Sequence, residues 1–65
     1  MTDVIEILEA IRTELDCDRL DGARVALLDY WTNRDEGNGT KETDEQAKAL
    51  AKEISELADA IAGGI

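Results

Sequence analysis

The sequence predicts an all-α protein, either a three-helix bundle or a helical hairpin followed by a long C-terminal helix. Three segments carry apolar residues at alternating steps of three and four, the spacing that gives a helix one apolar face. Because 65 residues are too few for two cores, we expect a single domain spanning residues 1–65. Its helices should cover about 3–15, 19–34 and 43–62, with an exposed loop at 35–42.

The first helix begins at an N-cap residue, either Thr2 or Asp3, whose side-chain oxygen can accept a backbone N–H of the first turn. Its apolar stripe consists of Val4, Leu8, Ile11 and Leu15, and it is widened by Ile5 and Ile7. A stripe this broad exceeds what one small bundle can cover. We therefore expect a dimer or a larger homo-oligomer.

The second helix follows a short connection at 16–19, which favours an antiparallel hairpin with the first helix. We expect Asp18 to cap the second helix and Asp21 to complement the positive end of its dipole. Gly22 indicates either a closely approaching backbone or a frayed first turn, because glycine weakens a helix interior.

Tyr30 and Trp31 are the only aromatic residues of the chain. Helical spacing places Trp31 in the middle of an apolar stripe and Tyr30 about 100° away on its shoulder; the other members of the stripe are Leu20, Ala23 and Leu27. Arg24 and Arg34 lie at the margins. A tryptophan in this setting is a core anchor, a hot spot for a protein partner, or a shelf for a flat anionic ligand. The candidate binding residues are therefore Arg24, Tyr30, Trp31 and Arg34.

The third helix has the clearest predicted start, where Thr43 and Gln46 match a capping box and Asp44 suits the helix dipole. Gly63 and Gly64 should end it. Apolar residues repeat along it at three and four, namely Ala47, Leu50, Ile54, Leu57 and Ile61. This repeat is too short for an independent coiled coil. We expect four residues of this repeat to form either the bundle core or a seam between subunits, namely Leu50, Ile54, Leu57 and Ile61.

The charge balance restricts the partners. Seven basic and sixteen acidic residues give a net charge of −9, which should repel nucleic acid and anionic membranes and favour a basic protein. The sequence lacks an apolar run long enough to span a membrane and a signal-peptide pattern, so we expect a cytoplasmic protein. A salt-adapted protein without a dedicated partner would show the same acidity.

The residue types argue against catalysis. The chain has no histidine, and a single cysteine, Cys17, allows neither an intramolecular disulfide nor a common zinc site. The carboxylates of Asp16 and Asp18 disfavour a thiolate at Cys17. There is no nucleophile elbow and no phosphate-binding glycine loop. We therefore expect no enzyme activity, no cofactor and no metal.

The run Leu27-Leu28-Asp29-Tyr30-Trp31-Thr32-Asn33-Arg34, followed by a glycine-bearing acidic loop and an alanine-rich helix, resembles small uncharacterised helical proteins of bacteriophages. The resemblance covers residues 20–62. It implies action by binding in the host cytoplasm, either blocking a host defence protein or sequestering a nucleotide signal inside an oligomer.

Two functional hypotheses follow. The leading one is a non-enzymatic acidic interaction protein, an inhibitor that binds a basic surface of a host protein. The alternative is an oligomeric protein that binds or sequesters a nucleotide-like small molecule, with Arg24 and Arg34 on its phosphates and Trp31 or Tyr30 stacked on its base.

Overall fold

The computed structural model describes residues 3–63, and every regular element in that range is a helix. The three helices are α1 (Val4–Asp16), α2 (Leu20–Asn33) and α3 (Lys41–Gly63), and each packs against the other two. The predicted all-α class is therefore confirmed. Two predicted boundary residues, the alternative cap Thr2 and the helix stop Gly64, lie outside the described residues.

Helix α1 begins as expected and buries one face. The Ile5 N–H donates to Asp3 Oδ1 at 2.9 Å, which confirms Asp3 as the N-cap. Four residues of α1 are buried in the core: Val4, Ile7, Leu8 and Ile11. Ile5, on the flank of this stripe, remains 48% exposed. The breadth of the apolar stripe thus leaves one large aliphatic side chain at the surface.

The turn between α1 and α2 corrects the predicted cap of α2. Asp18 has a φ of 57°, in the left-handed region, and Arg19 rather than Asp18 is the N-cap residue, without a capping side-chain hydrogen bond. The Asp18 N–H donates to the Leu15 carbonyl at 3.0 Å and the Arg19 N–H donates to the Glu14 carbonyl at 2.8 Å. These two bonds form a Schellman motif. Asp18 therefore ends α1 instead of starting α2.

Gly22 lies where α2 approaches α1, and the neighbouring group is a side chain rather than a backbone. A Cβ at Gly22 would collide with the carboxylate of Glu14. The glycine therefore makes room for an acidic side chain of α1 beside the first turn of α2.

The helices are arranged up, down and up. Ion pairing of Arg12 with Glu53 and the shared groove of Ile5 and Ala49 place α1 and α3 parallel, with α2 antiparallel to both. Because α1 ends only four residues after Arg12, while α3 continues for ten residues after Glu53, the end of α3 extends past the hairpin.

Because α3 extends past the hairpin, the four residues predicted to form a core or a subunit seam along α3 differ in burial. Leu50 and Ile54 are buried, Leu57 is partly buried, and Ile61 is 45% exposed. The core interpretation therefore holds for Leu50 and Ile54 and is wrong for Ile61, because Ile61 lies beyond the level at which α1 ends.

The start of α3 also differs from the prediction. Helix α3 begins at Lys41, and the residues that cap it are Thr40 and Thr43 rather than Thr43 and Gln46. The Thr40 N–H donates to Thr43 Oγ1 at 2.8 Å, and the Thr43 N–H donates to Thr40 Oγ1 at 3.2 Å. This reciprocal pair is a capping box with a threonine hydroxyl in place of the usual glutamate or glutamine.

The turn at 34–40 is more than an exposed connection. Gly37 is buried, and its carbonyl accepts the Val4 N–H at 3.0 Å, which supplies a partner to a backbone donor at the start of α1. The Gly37 N–H donates to the Asn33 carbonyl at 2.8 Å. The expectation of a loop exposed throughout is therefore wrong at Gly37.

Candidate functional site

The two aromatic residues lie in different environments, and the buried one is Tyr30, which was predicted on the shoulder of the apolar stripe. Tyr30 is fully buried, whereas Trp31 is 43% exposed, so Trp31 is not a core anchor. Tyr30 lies three residues after Leu27 and Trp31 lies four residues after it, so helical spacing allows either ring to share the side of Leu27. In the structure it is Tyr30 that enters the core. The two rings contact edge to face, with centroids 5.0 Å apart and planes at 88°.

Tyr30 reaches polar groups at the start of α3. Its hydroxyl lies 2.9 Å from Thr43 Oγ1 and 2.7 Å from Asp44 Oδ1. Because a carboxylate has no proton to give, the phenol donates to Asp44. Burial is the main reason that the pKa of Tyr30 is raised above its ordinary value. The tyrosine therefore joins α2 to α3 with both its ring and its hydroxyl.

Arg34 is bound by the same carboxylate. Its Nε donates to Asp44 Oδ1 at 2.6 Å and its Nη2 donates to Asp44 Oδ2 at 2.7 Å, a bidentate pair, while Nη1 donates to Asp35 Oδ1 at 3.1 Å. The hydrogen bonds from Arg34, followed by that from Tyr30, lower the pKa of Asp44 to about 2. The pKa of Arg34 is raised by the same bonds to Asp44.

We call these four residues, Tyr30, Arg34, Thr43 and Asp44, the α2–α3 polar cluster. Every donor and acceptor of the Arg34–Asp44 pair that faces inward already has a partner within the chain. The structure therefore brings two of the four predicted binding residues, Tyr30 and Arg34, into a structural contact rather than an open site.

Arg24 and Trp31 are exposed on α2, together with two residues that the sequence analysis did not select. Val25 is 60% exposed and Leu28 is 66% exposed. We call Val25, Leu28 and Trp31, which are spaced three residues apart, the α2 outer stripe. The signal for it was present in the sequence, because α2 has large apolar residues outside the stripe of Leu20 and Leu27.

A second surface feature lies between α1 and α3. It is an open groove of about 380 Å³, with Leu8 and Leu50 at its floor. The other lining residues are Ile5, Glu9, Arg12, Gln46, Ala49 and Glu53. Arg12 Nη1 donates to Glu53 Oε1 at 2.9 Å, and Arg12 Nη2 donates to Glu53 Oε2. Pairing with Arg12 lowers the pKa of Glu53, and the pKa of Arg12 is raised in turn.

Neither feature contains a set of side chains that could hold a metal ion, within the residues that the structure describes. Within residues 3–63, no group of three or more cysteine, histidine or carboxylate side chains is placed to hold a metal ion. The exposed thiol of Cys17 lies at the α1–α2 turn, away from both surfaces. None of the helices in this range is both long enough and apolar enough to cross a membrane.

Comparisons with protein-family models, with characterised proteins and with solved structures give no significant match to this chain.

Proposed function

We propose that the chain is a non-enzymatic interaction protein that binds a basic surface of another protein. The observation that carries the proposal is the α1–α3 groove, which combines an apolar floor with carboxylates at its edges. A partner segment that carries both apolar and basic side chains would complement both parts of this surface.

The distribution of charges around α3 supports a basic partner at the groove. Lys41, Lys48 and Lys52 are separated by seven and four residues and share one side of the helix. Glu42 lies eleven residues, or three turns, before the groove residue Glu53, and shares its side. The groove side of α3 is therefore acidic, and the lysines lie away from it.

Arg12 offsets only part of this negative charge, because it pairs with Glu53 and leaves Glu9 without an ion pair among the described residues of the groove. It is the only cation among the described residues that line the groove, and it is bound by Glu53 and lies 3.8 Å from Asp16. Glu9 lines the groove and is exposed. A basic partner would therefore meet carboxylates whose charge is only partly neutralised within the chain.

The floor of the groove supplies the second half of the recognition. Leu8 and Leu50 are 6% and 7% exposed, and Ile5 at the edge is 48% exposed. An inserted aliphatic side chain would cover Ile5 and displace water from the two leucines, which favours binding by roughly 25 cal/mol per Å² of apolar surface buried.

The nucleotide-binding alternative is supported less well by the geometry. Its two arginines point to different places: Arg34 is held in a bidentate pair by Asp44, and Arg24 lies on the exposed side of α2. Using Arg34 for a phosphate would break that pair and remove a partner from Asp44. Arg24 and Trp31 alone do not enclose a ligand.

The resemblance to bacteriophage proteins suggests the kind of partner. We propose a host protein, in the host cytoplasm, whose basic patch normally holds nucleic acid, so that the acidic groove competes for that patch.

The proposal is tested with a defined basic probe. A synthetic amphipathic helix of leucine and lysine should shift backbone amide resonances beside Glu9, Ala49 and Glu53, while the same helix with glutamate in place of lysine should not. The affinity should fall steeply as salt rises, because exposed charges are screened beyond about 10 Å at 0.1 M.

Matched variants locate the interaction. Glu9→Gln combined with Glu42→Gln should weaken binding of the lysine-containing helix by at least about tenfold, because charge complementarity contributes to the association rate and the affinity. Glu36→Gln combined with Asp59→Asn changes the net charge equally but away from the groove, and it should have a much smaller effect. Equal weakening by both pairs, or equal binding of the glutamate helix, would contradict the proposal.

A further inference from the structure

The turn between α2 and α3 contains the pair Asn38-Gly39, and the fold accounts for both residue types. Asn38 has a φ of 65°, in the left-handed region that asparagine adopts more readily than most residues. A Cβ at Gly39 would lie 2.8 Å from the carbonyl oxygen of Arg34 and would also collide with the Arg34 side chain. The turn therefore needs an asparagine-like residue followed by glycine.

The same pair is chemically labile. In an Asn-Gly sequence the glycine nitrogen can attack the side-chain carbonyl carbon of the asparagine, because glycine has no side chain to hinder the approach. The new N–Cγ bond closes a succinimide ring, and the side-chain nitrogen leaves as ammonia with the proton that the backbone nitrogen gives up. Water then opens the ring at either carbonyl to give aspartate or isoaspartate. The side chain of Asn38 is exposed, so water reaches it.

The fold restrains the attacking nitrogen. The Gly39 N–H donates to the Arg34 carbonyl at 2.7 Å, which holds this nitrogen in place and disfavours loss of its proton. On the other side of Asn38, Gly37 is buried and its carbonyl accepts the Val4 N–H at 3.0 Å. Attack on the asparagine side chain therefore requires these hydrogen bonds to open first.

We infer that Asn38 is a deamidation site whose rate is set by opening of the turn at 34–40. Aspartate at this position keeps the backbone length, tolerates the left-handed region and places a negative charge just before the positive end of the α3 dipole. Isoaspartate adds one methylene to the backbone between Gly37 and Gly39, so the two anchoring hydrogen bonds no longer fit together. Deamidation therefore loosens the turn in the isoaspartate fraction of the chains. This chemistry is independent of the groove and of its partner.

The deamidation rate of the full chain tests the site. Samples of the folded chain and of the chain unfolded in urea are incubated at the same mildly alkaline pH, and peptide mapping by mass spectrometry follows each asparagine. Asn38 should react at least about tenfold more slowly in the folded chain, which corresponds to an opening free energy of about 1.4 kcal/mol or more. Asn33 is the internal control, because Arg34 follows it and hinders attack, and it should react far more slowly than Asn38 in urea. Equal rates in the folded and unfolded chain, or no preference for Asn38 in urea, would overturn the inference.

A matched pair of variants tests whether the turn, rather than global unfolding, sets the rate. Asp44→Ala removes the bidentate partner of Arg34, whose carbonyl holds the attacking nitrogen, and it should accelerate the reaction of Asn38 in the folded chain by at least about threefold. Glu53→Ala removes a bidentate arginine pair in the middle of α3, away from the turn, and should change the rate by less than about twofold. Circular dichroism checks the helix content, and Tyr30→Phe replaces Asp44→Ala if that variant does not fold. Equal acceleration by the two variants, or no acceleration by the variant at the turn, would overturn control by the turn.

Discussion

Tyr30 and Trp31 are adjacent in the chain, but one lies in the core and the other at the surface. Tyr30 is fully buried and hydrogen-bonds to α3, whereas Trp31 is 43% exposed at the end of the α2 outer stripe. A buried phenol hydroxyl needs a hydrogen-bond partner, and Thr43 and Asp44 both lie within hydrogen-bond distance of the Tyr30 hydroxyl. The comparison shows that about 100° of helix rotation separates a side chain buried in the core from one exposed to solvent.

The largest expected difference between the two faces comes from truncating the aromatic rings. Tyr30→Ala should lower the free energy of unfolding by about 3–5 kcal/mol, because it empties a fully buried site. Trp31→Ala should cost about 1 kcal/mol, because much of that ring is already in water. Urea denaturation at low micromolar concentration measures both without a contribution from association. Similar losses for the two variants would contradict the assignment of faces.

Acid pH tests the α2–α3 polar cluster, because Asp44 is its titrating carboxylate. The Asp44 pKa is lowered from 3.8 to about 2 in the folded chain, so the unfolded chain binds more protons in this interval. The stability that Asp44 contributes is therefore present above its unfolded pKa and is lost as pH falls toward 2. Thermal unfolding from pH 7 to 2 should show a steeper acid limb in the parent than in Asp44→Asn. Parallel acid limbs would show that the cluster does not couple folding to this carboxylate.

The smallest of these effects concerns one hydroxyl. Tyr30→Phe should lower the free energy of unfolding by about 1 kcal/mol, because the hydrogen bond to Asp44 is lost while the ring stays buried. Thr32→Val removes an exposed hydroxyl on the other face of α2 and should change stability by less than about 0.5 kcal/mol.

The same variant carries an alkaline signature. Because the folded pKa of Tyr30 is raised, its contribution is present below pH 10 and is lost as pH rises through the folded pKa. Tyr30→Phe should remove this part of the alkaline loss. An unchanged alkaline limb would mean that the Tyr30 hydroxyl is solvated rather than buried.

The helices could be predicted from sequence because each depends on local spacing. The predicted and observed bounds of the three helices differ by at most two residues. The caps could not be predicted equally well. Thr40 with Thr43 and Thr43 with Gln46 both fit a capping pattern, and the contact of Thr43 with Tyr30 favours the first. That contact joins residues thirteen positions apart, which local rules do not consider.

The candidate residues show the same division. Leu27 is followed by aromatic residues at both three and four positions, so helical spacing alone allows either Tyr30 or Trp31 to enter the core. The choice depends on hydrogen-bond partners that α3 supplies. Arg34 looked available for a ligand because Asp44, ten residues away, could not be placed beside it from sequence. Self-association and a basic partner stay predictions.

The hydrogen bond from the Val4 N–H to the Gly37 carbonyl joins the start of the first helix to the turn that precedes the third. Opening of that turn would release a donor of α1 as well as the ends of α2 and α3, so the three elements should exchange their amide protons together at this end of the molecule. An insertion at 34–40 would therefore disturb three helix ends at once. The shorter turn at the other end, where Cys17 is exposed, is the better position for a chemical label, because a group attached to that thiol extends into solvent.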